Sequence, residues 1–143
     1  MSTFIWRETV KVVTSELTRG AQLGYWRDFT DLNEANEDGD NIDLLRAADE
    51  ALAVRATRAL YVCRDGEWVP VDDAGTFSYD DAEYALSMPP TRDLLRDLPA
   101  SLANEWVKQA QRDNEVLREY LFFLSPSLTS TTTAPEPPSG SEA

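Results

Sequence analysis

A chain of 143 residues with 42% apolar side chains is long enough to bury the core of a single domain without disulfides or metal. Its formal charge of −13, from 26 acids against 13 bases with no histidine, repels nucleic-acid phosphates and anionic membranes and favours solubility or a basic partner. The lone cysteine excludes an internal disulfide and thiolate metal sites, and the missing histidine removes the commonest general base and zinc ligand.

Residues 3–13 are rich in β-branched and aromatic side chains, with Phe4, Trp6, Val10 and Val12 on one parity. This pattern predicts a strand, or a hairpin folding near Arg7-Glu8-Thr9, with one face on the core. Arg7, Glu8 and Lys11 stand where a signal peptide would need an apolar run. No run of eighteen apolar residues occurs anywhere, so a soluble, cytoplasmic protein is expected.

From Thr14 the period changes. Thr14 or Ser15 suits a helix cap, after which Leu17, Ala21, Gly24, Tyr25 and Phe29 return at helical spacing. Gly20 and Gly24 weaken such a helix by about 1 kcal/mol each, which predicts close packing at its backbone, inside the chain or against a partner. Of the four tryptophans, Trp6, Trp68 and Trp106 fit the core pattern or its margin. Trp26, beside Tyr25 and off the Leu17-Ala21-Phe29 line, is the candidate anchor for a partner. Leu17, Gly20, Gly24, Tyr25 and Trp26 therefore make up the candidate partner-binding set.

The acids are unevenly placed. Residues 28–43 carry seven acids and no base, whereas residues 1–27 carry four bases and two acids. A calcium loop with Gly39 at its sixth position would need a bidentate Glu where Leu45 stands, so 31–40 reads as a solvated linker between helices.

A long central helix is predicted over 41–63, capped by Asp40 or Asn41, from Leu45, Ala48, Leu52, Ala56, Ala59 and Cys63 at steps of three and four. Cys63 falls on that stripe as a buried, inert thiol. Gly66 reads as a left-handed helix cap before a short extended piece from Trp68 to Val71, with an Asp65-Gly66 hairpin turn as the alternative. Residues 72–76 read as a loop. Ser78 and Asp81 suggest a capping box that opens a short helix through Glu83 to Leu86, stopped by Met88-Pro89-Pro90. Residues 91–98 can make a helical turn or two with Leu94, Leu95 and Leu98 inward. Pro99 suits the first position of the last helix, whose apolar face is Leu102, Trp106, Ala110, Leu117, Leu121 and Leu124, interrupted at Asp113-Asn114. The four prolines and many Ser and Thr of 125–143 predict a disordered tail. The expected fold is mainly α with a short N-terminal β strand or hairpin (α+β): a small helical bundle as one domain over 1–124, then the tail.

Chemistry is sparse. No nucleophile elbow, phosphate-binding loop or dinucleotide fingerprint occurs among the six glycines, and Asp72-Asp73 and Asp80-Asp81 lie beside cap or loop positions. Arg7, Lys11, Arg19 and Arg27 are too few for a nucleic-acid surface. The expectation is no enzyme, and no catalytic, cofactor-binding or metal-binding residues.

The strand Glu8-Thr9-Val10-Lys11-Val12-Val13 running into Thr14-Ser15-Glu16-Leu17 and a helix is one of several features that together resemble the tail assembly chaperones of long-tailed bacteriophages. The others are the acidic interhelical segment, the long central helix, the Leu98-Pro99 start of the last helix and the polar proline-rich tail. The resemblance implies binding of the tape measure protein, whose hydrophobic helices are kept soluble, and recruitment of tail tube subunits. It also implies residence in the host cytoplasm with absence from the mature virion, and a programmed frameshift that attaches a longer product near the tail. It leaves self-association open. Nucleic acid and membrane are not expected partners. The rival expectation is an acidic DNA-mimic inhibitor of the anti-restriction or anti-CRISPR type, which would need carboxylates on one rigid face.

Overall fold

The computed structural model describes residues 1–36, 39–72 and 74–117. Of these, 49% are helical and 30% lie in strands, which overturns the expected helical bundle. Among the described residues the architecture is an antiparallel four-stranded meander with a separate two-stranded hairpin and four helices.

The N-terminal alternation builds β1 (Ser2–Trp6) and β2 (Val10–Thr14), paired Phe4 with Val12 and Trp6 with Val10. Arg7 (φ 47°) and Glu8 (φ 60°) make the turn in the left-handed region, closed by the Thr9 amide donating to the Trp6 carbonyl at 3.0 Å. Left-handed backbone costs a non-glycine residue about 1–2 kcal/mol, and glycine's extra chain entropy returns about half of that. Glu8→Gly should therefore raise the urea unfolding free energy by roughly 0.5–1 kcal/mol, a gain that equilibrium denaturation would measure.

Helix α1 (Arg19–Ala35) starts later than expected, because Thr14 is held in β2. Its cap is Thr18, whose hydroxyl accepts from the Ala21 amide at 3.2 Å. Asp31 and Glu34 belong to this helix, so the acidic linker is shorter than 31–40; Glu37 and Asp38 lie outside the described residues. Asp40 caps α2 (Asn41–Ala56) through the Ile42 amide at 2.8 Å.

The predicted helix over 41–63 stops at Ala56. Thr57 turns extended (φ −75°, ψ 128°) and donates its hydroxyl back to the Ala53 carbonyl at 2.7 Å, and the chain continues as β3 (Thr57–Arg64). Asp65 (φ 51°) and Gly66 (φ 80°) then form the hairpin turn into β4 (Glu67–Pro70), so Gly66 is no helix cap. A second correction follows at once. The expected loop at 72–76 and the short helix expected after Ser78, through Glu83 to Leu86, are the hairpin β5 (Ala74–Tyr79) and β6 (Ala82–Ser87), turned at Asp80 (φ 53°) and Asp81 (φ 65°). The short helix α3 (Arg92–Asp97) points Leu95 and Leu98 inward and leaves Leu94 half-buried. Helix α4 (Ala100–Asp113) is preceded by Pro99, whose carbonyl accepts from the Leu102 and Ala103 amides at 3.0 Å. Leu121, Leu124 and the tail 125–143 lie outside the described residues.

Helix α2 packs between α1 and α4, and Ala48, Ala51, Ala53 and Ala56 keep its surface low enough for close approach. Helix α4 crosses the sheet face made by Phe4, Val12, Thr14 and Leu60, with Trp106 and Leu102 fully buried. The β5–β6 hairpin takes the far end of the same face, where Trp6 meets Phe77 edge-on at 5.8 Å. Gly75 allows the close approach there: a Cβ would lie 3.1 Å from Val71 Cγ2 and 3.3 Å from Val62 Cγ2, so those methyls would have to give way slightly. No helix among the described residues is long and apolar enough to cross a membrane.

Candidate protein-binding face

Side chains alternate across a strand, so the register that sends Phe4, Trp6, Val10, Val12, Leu60 and Val62 into the core sends their neighbours to the opposite face. Three rows of cross-strand partners make that face: Thr3, Val13 and Ala59; Ile5, Lys11, Tyr61 and Pro70; and Cys63 with Trp68. None of these residues belongs to the core cluster, and none of its apolar members packs against that cluster. With α4 and the β5–β6 hairpin both on the other side, no described element packs over this face, where Thr3, Ile5 and Pro70 are exposed and the other six residues half-buried.

Its chemistry differs from the rest of the molecule. In a chain with 26 acids, these nine positions hold no carboxylate and a single charge, Lys11. The Lys11 ammonium lies 4.4 Å from the Tyr61 ring centre and 5.1 Å from that of Trp68, within range of cation–π attraction to both. Ile5 is 53% exposed beside them. Uncovered apolar area rimmed by charge is the ordinary signature of a protein-binding surface. Parity within Ala59-Leu60-Tyr61-Val62-Cys63 was the signal that could have found this face; a helical reading of the segment hid it. Cys63 is accordingly half-buried on a strand and not buried on a helix stripe.

The residues proposed from sequence do not share one surface. Leu17 and Tyr25 are core residues, 4% and 1% exposed. Gly20 stands in open space. Gly24 is where α1 lets a neighbour approach its backbone: the Arg55 guanidinium lies over it and holds Asp28 at 2.6 Å. That hydrogen bond to Asp28 raises the Arg55 pKa, against the opposing effect of burial, and the pair is a surface tie worth at most about 1 kcal/mol. Trp26 is half-buried, packed against the core, and lines an open groove of about 720 Å³ with Leu23, Arg19, Arg112, Glu115 and Val116. Among the described residues its lining is mixed in charge and includes Leu117.

Among the described residues no group of three acids or thiols is arranged to hold a metal. Asp80 and Asp81 are turn residues, Asp72 lies next to β5, and Asp73 is outside the described residues. Comparison of the chain with family models, with curated proteins and with solved structures finds no match.

Proposed function

We propose that this chain is a non-enzymatic tail assembly chaperone of a long-tailed bacteriophage, acting in the host cytoplasm and absent from the finished virion. It binds the tape measure protein, keeps that protein's hydrophobic helices soluble, and helps recruit tail tube subunits. The observation that carries this reading is the uncovered, carboxylate-free sheet face on a body of net charge −13. One surface adheres to apolar chain while the acids elsewhere keep the complex in solution. The resemblance contributes the strand β2 leading through residues 15–18 into α1, and the Leu98-Pro99 start of α4. It loses the last third of the long central helix, which is β3.

Co-expression tests the proposal. A tape measure protein that is insoluble alone should become soluble and co-purify with this chain, and Trp68→Ser should abolish the rescue while leaving the fold intact. If the tape measure protein stays insoluble, and neither it nor a tail tube subunit is recovered by pull-down, the reading is wrong.

One observation favours the DNA-mimic alternative. Asp31 and Glu34 are exposed on the rigid helix α1 and not in a flexible linker, which gives at least two carboxylates fixed positions. Competition with DNA for a restriction or CRISPR nuclease, lost in high salt, would support that second reading.

A further inference from the structure

We infer that the uncovered sheet face is shaped for one amphipathic helix of a partner protein, about three turns long, with a carboxylate inside its apolar stripe to meet Lys11. The inference rests on the protein-binding reading above and specifies the occupant of that face.

Size gives the first argument. Four strands about 4.8 Å apart and roughly five residues long at ~3.4 Å each present a patch near 300 Å². A stable interface between two globular proteins needs about 800 Å² from each side, so a second copy laid face to face is undersupplied. A helix is about 10 Å across and rises ~1.5 Å per residue; some eleven residues would span the patch from edge to edge and cover about half of it.

Charge gives the second. Lys11 sits in the middle row between Ile5 and Tyr61, so a two-fold contact centred on the patch would bring two ammonium groups together. A partner helix with an acid in that position pairs with the ammonium while its leucines or aromatics cover Ile5, Val13, Tyr61 and Trp68. An ammonium held over two aromatic rings is already oriented for such a pair. Tyr61, Trp68 and Lys11 also resemble a base-stacking platform. A single cation, however, cannot track a phosphate backbone against an overall charge of −13.

The test uses the whole chain and two synthetic amphipathic peptides of about fourteen residues, identical except for Glu or Lys at the centre of a leucine stripe. Peptide-induced amide shifts in nuclear magnetic resonance spectra should map to Ile5, Lys11, Val13, Tyr61 and Trp68. The Glu peptide should bind about fivefold more tightly than the Lys peptide, the size expected for exchanging one exposed attraction for a repulsion. Lys11→Glu should reverse the order, and Lys11→Gln, which leaves only the field of the acidic chain, should remove the preference for the Glu peptide. Shifts that map to α1 or the Trp26 groove would overturn the inference. So would an unchanged order in both variants, tighter binding of oligouridylate than of either peptide, or sedimentation of the free chain as a dimer that Lys11→Glu disrupts. Peptide binding with the stated charge preference but no rescue of a tape measure protein would remove the chaperone reading alone. Rescue of that protein with shifts mapping elsewhere would remove this inference alone.

Discussion

Trp106→Ala should lower the unfolding free energy by about 4 kcal/mol, a large share of the 5–15 kcal/mol typical of a domain of this size. Trp106 is fully buried where α4 meets α2 and the start of β3, and its indole Nε1 donates to Thr57 Oγ1 at 2.8 Å. That hydroxyl in turn donates to the Ala53 carbonyl at 2.7 Å, at the point where α2 gives way to β3. The alanine variant therefore opens a cavity and removes the clamp on the helix-to-strand junction in a single step. Trp106→Phe separates the two effects: most of the volume remains, Thr57 keeps its bond to Ala53, and the loss should fall to about 1–2 kcal/mol. Urea denaturation of the two variants measures both numbers. A Trp106→Ala loss below about 1 kcal/mol would mean that the core collapses readily around α4 and that the clamp has no weight.

The same junction shows why the middle of the chain was the hardest part to read. Ala56, Ala59 and Cys63 continue the helical spacing of Leu45, Ala48 and Leu52 without a glycine or proline to interrupt it. Helix and strand patterns coincide there, because β3 is buried on one face by Leu60 and Val62 and half-covered on the other by Ala59, Tyr61 and Cys63. The deciding contacts are non-local. Residue Val12 pairs with Leu60 and Val10 with Val62 across about fifty residues of intervening sequence, and no local pattern reports that edge. The N-terminal hairpin was legible because its β-branched alternation is strong and its partner strand is adjacent. Asp65-Gly66 also carried the right turn signal; it was outweighed only by the supposed helix before it. Asp80-Asp81 gave none, since neither residue is glycine and Ser78 with Asp81 imitates a capping box.

The candidate face was obscured for the same reason. Its rows combine residues from four strands, so a reading that makes β3 a helix and β4 an isolated extended piece never brings Lys11, Tyr61 and Trp68 together. Composition drew attention to α1 instead, where the glycine-weakened stretch does admit a close neighbour at Gly24; that neighbour is Arg55 of α2. Charge asymmetry was readable from the start, but its meaning depends on the fold. Acids gather along α1 and the start of α2, while the outer sheet face carries none.

Asn114→Ala should cost about 2–4 kcal/mol, because three backbone groups lose their partner in one substitution. Asn114 is 4% exposed just past the end of α4. Its Oδ1 accepts from the Leu17 amide at 2.9 Å, and its Nδ2 donates to the carbonyls of Ser15 at 3.2 Å and Ala110 at 2.9 Å. Those bonds fix the segment between β2 and α1 against the last helix, alongside Gln109, whose Nε2 reaches Ser2, Val12 and Thr14. Asn114→Asp tests the assignment without changing the shape of the side chain. An ionised carboxylate keeps the acceptor for Leu17 but faces two carbonyls with no proton to give, so burial and those carbonyls hold its folded pKa above the ordinary value near 4. The folded state then binds protons more tightly than the unfolded state, and the deficit relative to the natural sequence should widen as pH rises above about 4 and narrow below it. Urea midpoints of the two proteins measured across that range check the sign. A deficit that is the same on both sides of pH 4 would show that the amide's two donated bonds do not hold the α4 end to Ser15, and that the residue contributes by packing alone.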